Sequence, residues 1–268
     1  MAGFPQRVTL GRSGLEVGPL GVSGGYGVGA GAVLRAFDRG VNYLYHGSRR
    51  NQGMAAAIRQ LVAAGHRAEL VIVLQSYSRS PGLMERSLTR GLQQLGIESA
   101  NVLLLGWYNG PPGDRLLERA ERMRENGMFR HLAVSGHRRP AFVGHAADRR
   151  ISIIHVRYNA AHTGAENDIF PHLPAEGRPG VVAYTATSWG ALLKPRRMPP
   201  GEAPLRARDC YRFVFSNPDF NVCMSGPKDD VQMDEALAAL DEGPLSAEED
   251  ARLRRIGRWV HGHSLFGR

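Results

Sequence analysis

The sequence predicts a (β/α)₈ TIM barrel, an α/β fold, with an N-terminal β-hairpin ahead of its first strand. Three observations carry this: eight short apolar runs recur along the chain, segments of helical period separate them, and two extended runs around a Gly/Ser turn come first. Strands that are apolar on both faces and alternate with helices imply a parallel sheet covered by helices. Eight such units in 268 residues point to a closed barrel, which commonly forms one domain of about 250 residues. A single barrel domain over residues 1–268 is therefore expected. An open doubly wound sheet is the alternative, and it needs no hairpin in front.

The hairpin is read from Arg7-Val8-Thr9-Leu10 and Leu15-Glu16-Val17 flanking Gly11-Arg12-Ser13-Gly14. The expected barrel strands are Leu20–Ser23, Val41–Tyr45, Leu70–Gln75, Val102–Leu105, His131–Ser135, Ile151–Val156, Val181–Tyr184 and Val222–Ser225. Leu83, Leu88, Leu92 and Leu95 stripe a helix after Pro81; Leu116, Leu117, Ala120 and Met123 stripe another after Asp114, read as its N-cap. Ala32–Phe37, Met54–Val62, Arg206–Phe215 and Val231–Leu240 complete the set, and Ser246 with Glu249 has the capping-box spacing that opens a terminal helix to Val260. The Pro-rich stretch Lys194–Pro204 reads as a long loop after the seventh strand.

Composition narrows the function classes. No apolar run approaches the roughly 20 residues of a membrane helix, and nothing resembles a signal peptide. Cys210 and Cys223 are the only cysteines, so neither a disulfide framework nor a structural zinc site is expected, and a cytoplasmic location follows as the expectation. The net charge of +9 comes from 34 basic residues, of which only Lys194 and Lys228 are lysine. The arginines are spread over helices rather than gathered in a stripe, which argues against nucleic acid and for a solvated, arginine-rich surface; the alternative is a basic field that attracts anionic ligands such as a phosphorylated cofactor. The ten histidines lack metal-ligand spacing, so no metal is predicted. A small-molecule substrate and a monomer or small homo-oligomer are the expected partners.

Several segments together resemble the aldo-keto reductases over nearly the whole chain. Leu10–Val17 is similar to that family's opening hairpin, and Gly40-Val41-Asn42 to the entry of its second strand. Gly127–Gly136 follows its Gly-Lys-Ile-Arg…Gly-Val-Ser-Asn pattern, Arg157-Tyr158-Asn159 its sixth-strand end, and Gly190–Lys194 its seventh-strand segment. Gly226 through Gln232 and Glu235 to Leu240 resembles its dinucleotide motif. The resemblance implies NADP(H) bound across the barrel mouth and a reactive Asp, Tyr, Lys and His.

None of those four residues is present. Tyr45 stands at the Asp position, Arg50 at the Tyr, Gln75 at the Lys and Gly106, beside Trp107, at the His. Losing Asp and Lys together removes the ion pair whole and leaves neutral Tyr45 and Gln75, which could hydrogen-bond each other. Tyr45, His46, Arg50, Gln75 and Trp107 are thus the candidate catalytic residues, with Tyr45 and His46 leading as proton donors and Arg49 and Arg50 as an oxyanion or carboxylate clamp.

The same resemblance maps the cofactor onto Tyr184 (nicotinamide stacking), Ser135 and His155 (carboxamide), Gly226 (phosphate approach), Lys228 (2′-phosphate), and Gln232 and Glu235 (adenosine), with Lys194 in a segment the family also uses. Three functions remain open from sequence: an NADP(H)-dependent oxidoreductase acting on an activated carbonyl, imine or conjugated molecule; a non-redox lyase, cyclase or isomerase; or an inactive nucleotide-binding protein.

Overall fold

A computed structural model describes Phe4 and residues 6–263. The hairpin strands β1 (Val8–Thr9) and β2 (Glu16–Val17) pair antiparallel. Eight parallel strands then close a barrel: β3 (Leu20–Ser23), β4 (Tyr43–Tyr45), β5 (Val71–Ser76), β6 (Ala100–Leu105), β7 (Phe129–Ser135), β8 (Ile151–Arg157), β9 (Gly180–Tyr184) and β10 (Val222–Ser225). The helices are α1 (Ala30–Asp38), α2 (Gln52–Ala63), α3 (Pro81–Leu95), α4 (Asp114–Glu125), α5 (Ala141–Ala147), α6 (Ala165–Asp168), α7 (Ala207–Phe215), α8 (Asp230–Ala238) and α9 (Ala247–Gly262). Strand order follows the chain, with β10 returning to pair with β3.

Strand alternation builds two cores. Inward residues such as Tyr43, Val73, Val102, Ile153 and Val182 pack with Leu10 and Val17 of the hairpin, which plugs the barrel from below. Outward residues such as Leu44, Ile72, Leu103 and Val181 join the apolar faces of the helices in the larger outer core. Gly21 faces inward, where a Cβ would sit 2.6 Å from the Met224 sulfur, so glycine is needed to fit the neighbouring strands' side chains.

Some expectations change. Gly113 caps α4 and Asp114 is its first helical residue, where its carboxylate still faces the positive end of the helix dipole. Ser246 and Glu249 do form the reciprocal box, at 3.1 and 2.7 Å. α5 was not expected, and the sixth unit has only the single turn of α6. The Lys194–Pro204 stretch contains a short 3₁₀ turn at Pro195–Arg197. Among the described residues, no helix is long and apolar enough to cross a membrane.

Candidate active site

The C-terminal strand ends open on a cavity of about 600 Å³. Its floor follows from period-two alternation. Tyr45, Gln75, Ser135, His155 and Tyr184 each stand two residues beyond an inward apolar residue, so they form a polar layer directly above the apolar plug. From that layer the cavity runs between β9 and β10 to Gly226, Pro227, Gln232 and Glu235 at the start of α8.

Most of the expected residues meet here. The Tyr184 hydroxyl donates to the Gly136 carbonyl at 2.6 Å, which fixes its ring in the wall. Ser135 Oγ accepts from the Trp107 amide at 3.2 Å. The Tyr43 hydroxyl meets His155 Nε2 at 2.8 Å, and burial lowers the imidazole pKa to about 3. Tyr45 lies against Tyr77, and burial first, then that neighbour, push its phenol well above 10, the ordinary value. Among the described residues the Gln75 side chain makes no hydrogen bond, and its Oε1 is buried without a partner; the mutual bond with Tyr45 is not formed. Glu235 lines the far end with its carboxylate held by Arg208, whose Nε donates at 3.0 Å.

Five expected residues lie outside the cavity lining. His46 follows inward Tyr45 and therefore points the other way, buried beside Asn51 at 3.1 Å, with its pKa lowered by burial to about 4. It does not reach the cavity as a proton donor. Arg50 is exposed on the loop with φ 51°, as is Arg49, and neither forms a clamp. Lys194 is exposed beyond Leu193, and Lys228 is exposed one residue past Pro227, 3.9 Å from Asp229.

Other lining residues were not expected from sequence. Tyr26 comes from the Gly24-Gly25-Tyr26-Gly27 turn after β3, and its ring occupies the space a Cβ at Gly226 would need, 2.5 Å away. The room at Gly226 thus serves an aromatic contact. Trp189 follows β9 and Tyr211 comes from α7. An aromatic residue inside a glycine-rich strand-to-helix turn was the available signal for Tyr26.

The site is neutral in character. Burial raises the phenols of Tyr45, Tyr184 and Tyr211 and lowers the imidazoles of His137 and His155. No lysine or arginine lines the cavity among the described residues, so the anionic substrate suggested by net charge finds no matching group there. Nor, among these residues, do three or more His, Cys, Asp or Glu side chains gather as a metal site.

A nicotinamide dinucleotide fits this donor set. The fixed Tyr184 ring offers a stacking face, and Ser135 and His155 are polar groups beside it. Gln232 and Glu235 lie at the other end of the cavity.

Fold and site together define a (β/α)₈ barrel with a polar cavity floor, an aromatic mouth and an elongated groove beside its last strands. Solved structures it is similar to include aldo-keto reductases. One from Bacillus halodurans in its holo form has a TM-score of 0.76 at 18% identity, covering 93% of this chain and 95% of that one. Its apo form gives 0.73 at 19%, over 93% and 95%. An aldo/keto reductase from Klebsiella pneumoniae, in complex with NADP and acetate, gives 0.70 at 20%, over 94% and 95%. The chain therefore has the aldo-keto reductase fold. No protein-family model matches the sequence, and no curated protein does.

Proposed function

We propose that this protein is an NADP(H)-dependent oxidoreductase of aldo-keto reductase type with a rebuilt proton-delivery site, acting on an activated carbonyl, imine or conjugated small molecule. One observation carries the reading: a tethered Tyr184 ring and the Gln232–Glu235 pair lie at two ends of one continuous cavity. The NADP named with the Klebsiella pneumoniae structure supports the same choice of cofactor. Lys228, exposed beside the lining residue Pro227, is the group we assign to a 2′-phosphate.

When bound, the cofactor supplies a hydride. Tyr184 offers it a fixed aromatic face, and Ser135 and His155 orient its carboxamide. Tyr45 is held as a neutral phenol and donates a hydrogen bond to oxygen as negative charge develops there. With no lysine beside it in the lining, that phenol is a weak acid. The site therefore suits substrates that are already electrophilic and need little protonation. The rings of Tyr26, Tyr77, Trp107 and Trp189 at the mouth exclude water once the cavity is filled.

Calorimetry with NADPH and NADP⁺ tests the reading, repeated on Tyr184→Ala and Glu235→Ala. Binding that weakens in both variants, followed by NADPH consumption across a panel of imines, enones and aldehydes, supports it. No heat with either form at millimolar concentration removes it. Binding without consumption leaves a nucleotide-binding protein.

A further inference from the structure

The chamber side of the site carries features that cofactor binding does not use. Among the described residues, every exposed Phe, Tyr or Trp lines this one cavity: Trp107 and Trp189 at 59%, Tyr26 at 50% and Tyr77 at 45% exposure. Both tryptophans hold left-handed backbone, at φ 62° and 51°, a conformation costly for a bulky residue. Trp107 is held there from both sides. Its amide donates to Ser135 Oγ at 3.2 Å, and its carbonyl accepts from Arg79 at 2.6 Å. Arg79 also donates to the Tyr77 and Gly106 carbonyls at 2.9 and 3.0 Å.

Gly106 joins these rings to Gln75. A Cβ at Gly106 would lie 2.4 Å from Gln75 Nε2 and 2.4 Å from the Tyr77 ring, so the missing side chain lets amide and ring sit together. The amide has no protein partner at either end, and its oxygen is buried. A buried polar atom left without a partner is destabilising, and a ligand hydrogen bond would relieve that cost. Its complement is a group that donates and accepts side by side. The orientation of the amide does not matter to this argument, because turning it over exchanges the two roles.

We infer that the substrate is a flat, uncharged molecule that carries an amide-like edge apart from its electrophilic centre, such as a conjugated heterocycle bearing a lactam or carboxamide, its edge on Gln75 and its face on Tyr77 and Trp107. This deepens the proposed oxidoreductase reading and rests on it for the word substrate alone; recognition itself needs no cofactor. The Gln75 end of the cavity favours neutral ligands, since among the described residues no lysine or arginine lines it and the one lining carboxylate, Glu235, is paired with Arg208 at the far end.

The test uses 2-quinolone, a flat bicyclic lactam, with N-methyl-2-quinolone and quinoline-2-carboxylate as comparisons. Binding is read from quenching of tryptophan emission and repeated on Gln75→Leu and Trp107→Phe. 2-Quinolone should bind. N-methylation and Gln75→Leu should each weaken binding about tenfold, and the two changes together should add little, because they remove one shared interaction. Trp107→Phe should weaken binding and reduce the quench, and the carboxylate should bind less well than the lactam. The inference is overturned if 2-quinolone does not bind, if its N-methyl form binds equally, if Gln75→Leu has no effect, or if the carboxylate binds more tightly. Calorimetry with NADPH on the same preparation reports the oxidoreductase reading separately. Lactam binding without NADPH binding removes that reading alone; NADPH binding without lactam binding removes this inference alone.

Discussion

The Tyr43 hydroxyl and His155 Nε2 meet at 2.8 Å inside the barrel, and burial takes the imidazole from its ordinary 6.5 down to about 3. His46, buried against α2, is lowered to about 4. Unfolding returns both to near 6.5, so at mildly acidic pH the unfolded chain binds more protons than the folded one. Their contribution to stability is therefore constant above that value and falls as pH drops below it. Each buried imidazole should cost about 2 kcal/mol between pH 7 and pH 5. Urea unfolding at the two values measures the total. His155→Gln keeps a partner for Tyr43 and has nothing to titrate, so its acid loss should be smaller by one imidazole's share. An unchanged loss would show that His155 is not held neutral.

The contact between Arg79 and the Trp107 carbonyl yields a separate expectation. The guanidinium serves three carbonyls and lies 3.7 Å from the centre of the Tyr108 ring, an arrangement a lysine cannot reproduce. Arg79→Lys should cost only about 1 kcal/mol of stability, because the loop is largely exposed. In a protein whose other tryptophans are phenylalanine, it should also lower the fluorescence anisotropy of Trp107. Unaltered anisotropy would mean that Ser135 alone holds the indole.

How much of this was legible in the sequence differs by level. β3 and β10 have the bounds their apolar runs suggested, and the other barrel strands differ by at most two residues at either end. Long apolar runs between helices leave little choice of position. α5 was missed because its seven residues are too few for a helical period to stand out. At the site, strand alternation separates chain neighbours: Tyr45 points into the cavity and His46 away from it, although both had been read as proton donors. Tyr26 and Trp189 belong to loops whose course depends on the closed barrel, and no local period marks them. The unpartnered state of Gln75 depends on Gly106, Tyr45 and Tyr77 at once, and only the three-dimensional arrangement reveals it.

Arg12 ties the hairpin to the barrel. From the turn its guanidinium donates to the carbonyls of Ala146 at 2.9 Å, Asp148 at 2.7 Å and Gly177 at 3.0 Å, and also to Ile151. Partial burial lowers its pKa, yet it remains charged at any ordinary pH. Arg12→Ala would leave several carbonyls short of a donor and loosen the plug formed by Leu10 and Val17. A loss of about 1–3 kcal/mol in urea unfolding is expected, with faster hydrogen exchange at the hairpin amides. Equal exchange rates in the two proteins would show that apolar packing alone holds the hairpin.

The sixth unit supplies the last expectation. Its helix is reduced to one turn, and α9 packs beside the chain that follows β8. Arg254 of α9 donates to Glu166 of α6 at 2.9 Å, and Gly257 lies so close to Ala160 that an added Cβ would come 1.9 Å from its carbonyl oxygen. The obstructing atoms, the Ala160 carbonyl oxygen and carbon and the Ala161 nitrogen, are all backbone, so none can rotate aside. Gly257→Ala would gain helix propensity worth about 1 kcal/mol, but it must push α9 away from the barrel. Overpacking costs about 1–3 kcal/mol and outweighs the gain. Thermal unfolding should therefore show a lower midpoint for Gly257→Ala. Gly262→Ala, at the end of the same helix with nothing within 4 Å of the new Cβ, should escape that penalty. A higher midpoint for Gly257→Ala would mean that α9 does not rest on Ala160 in solution.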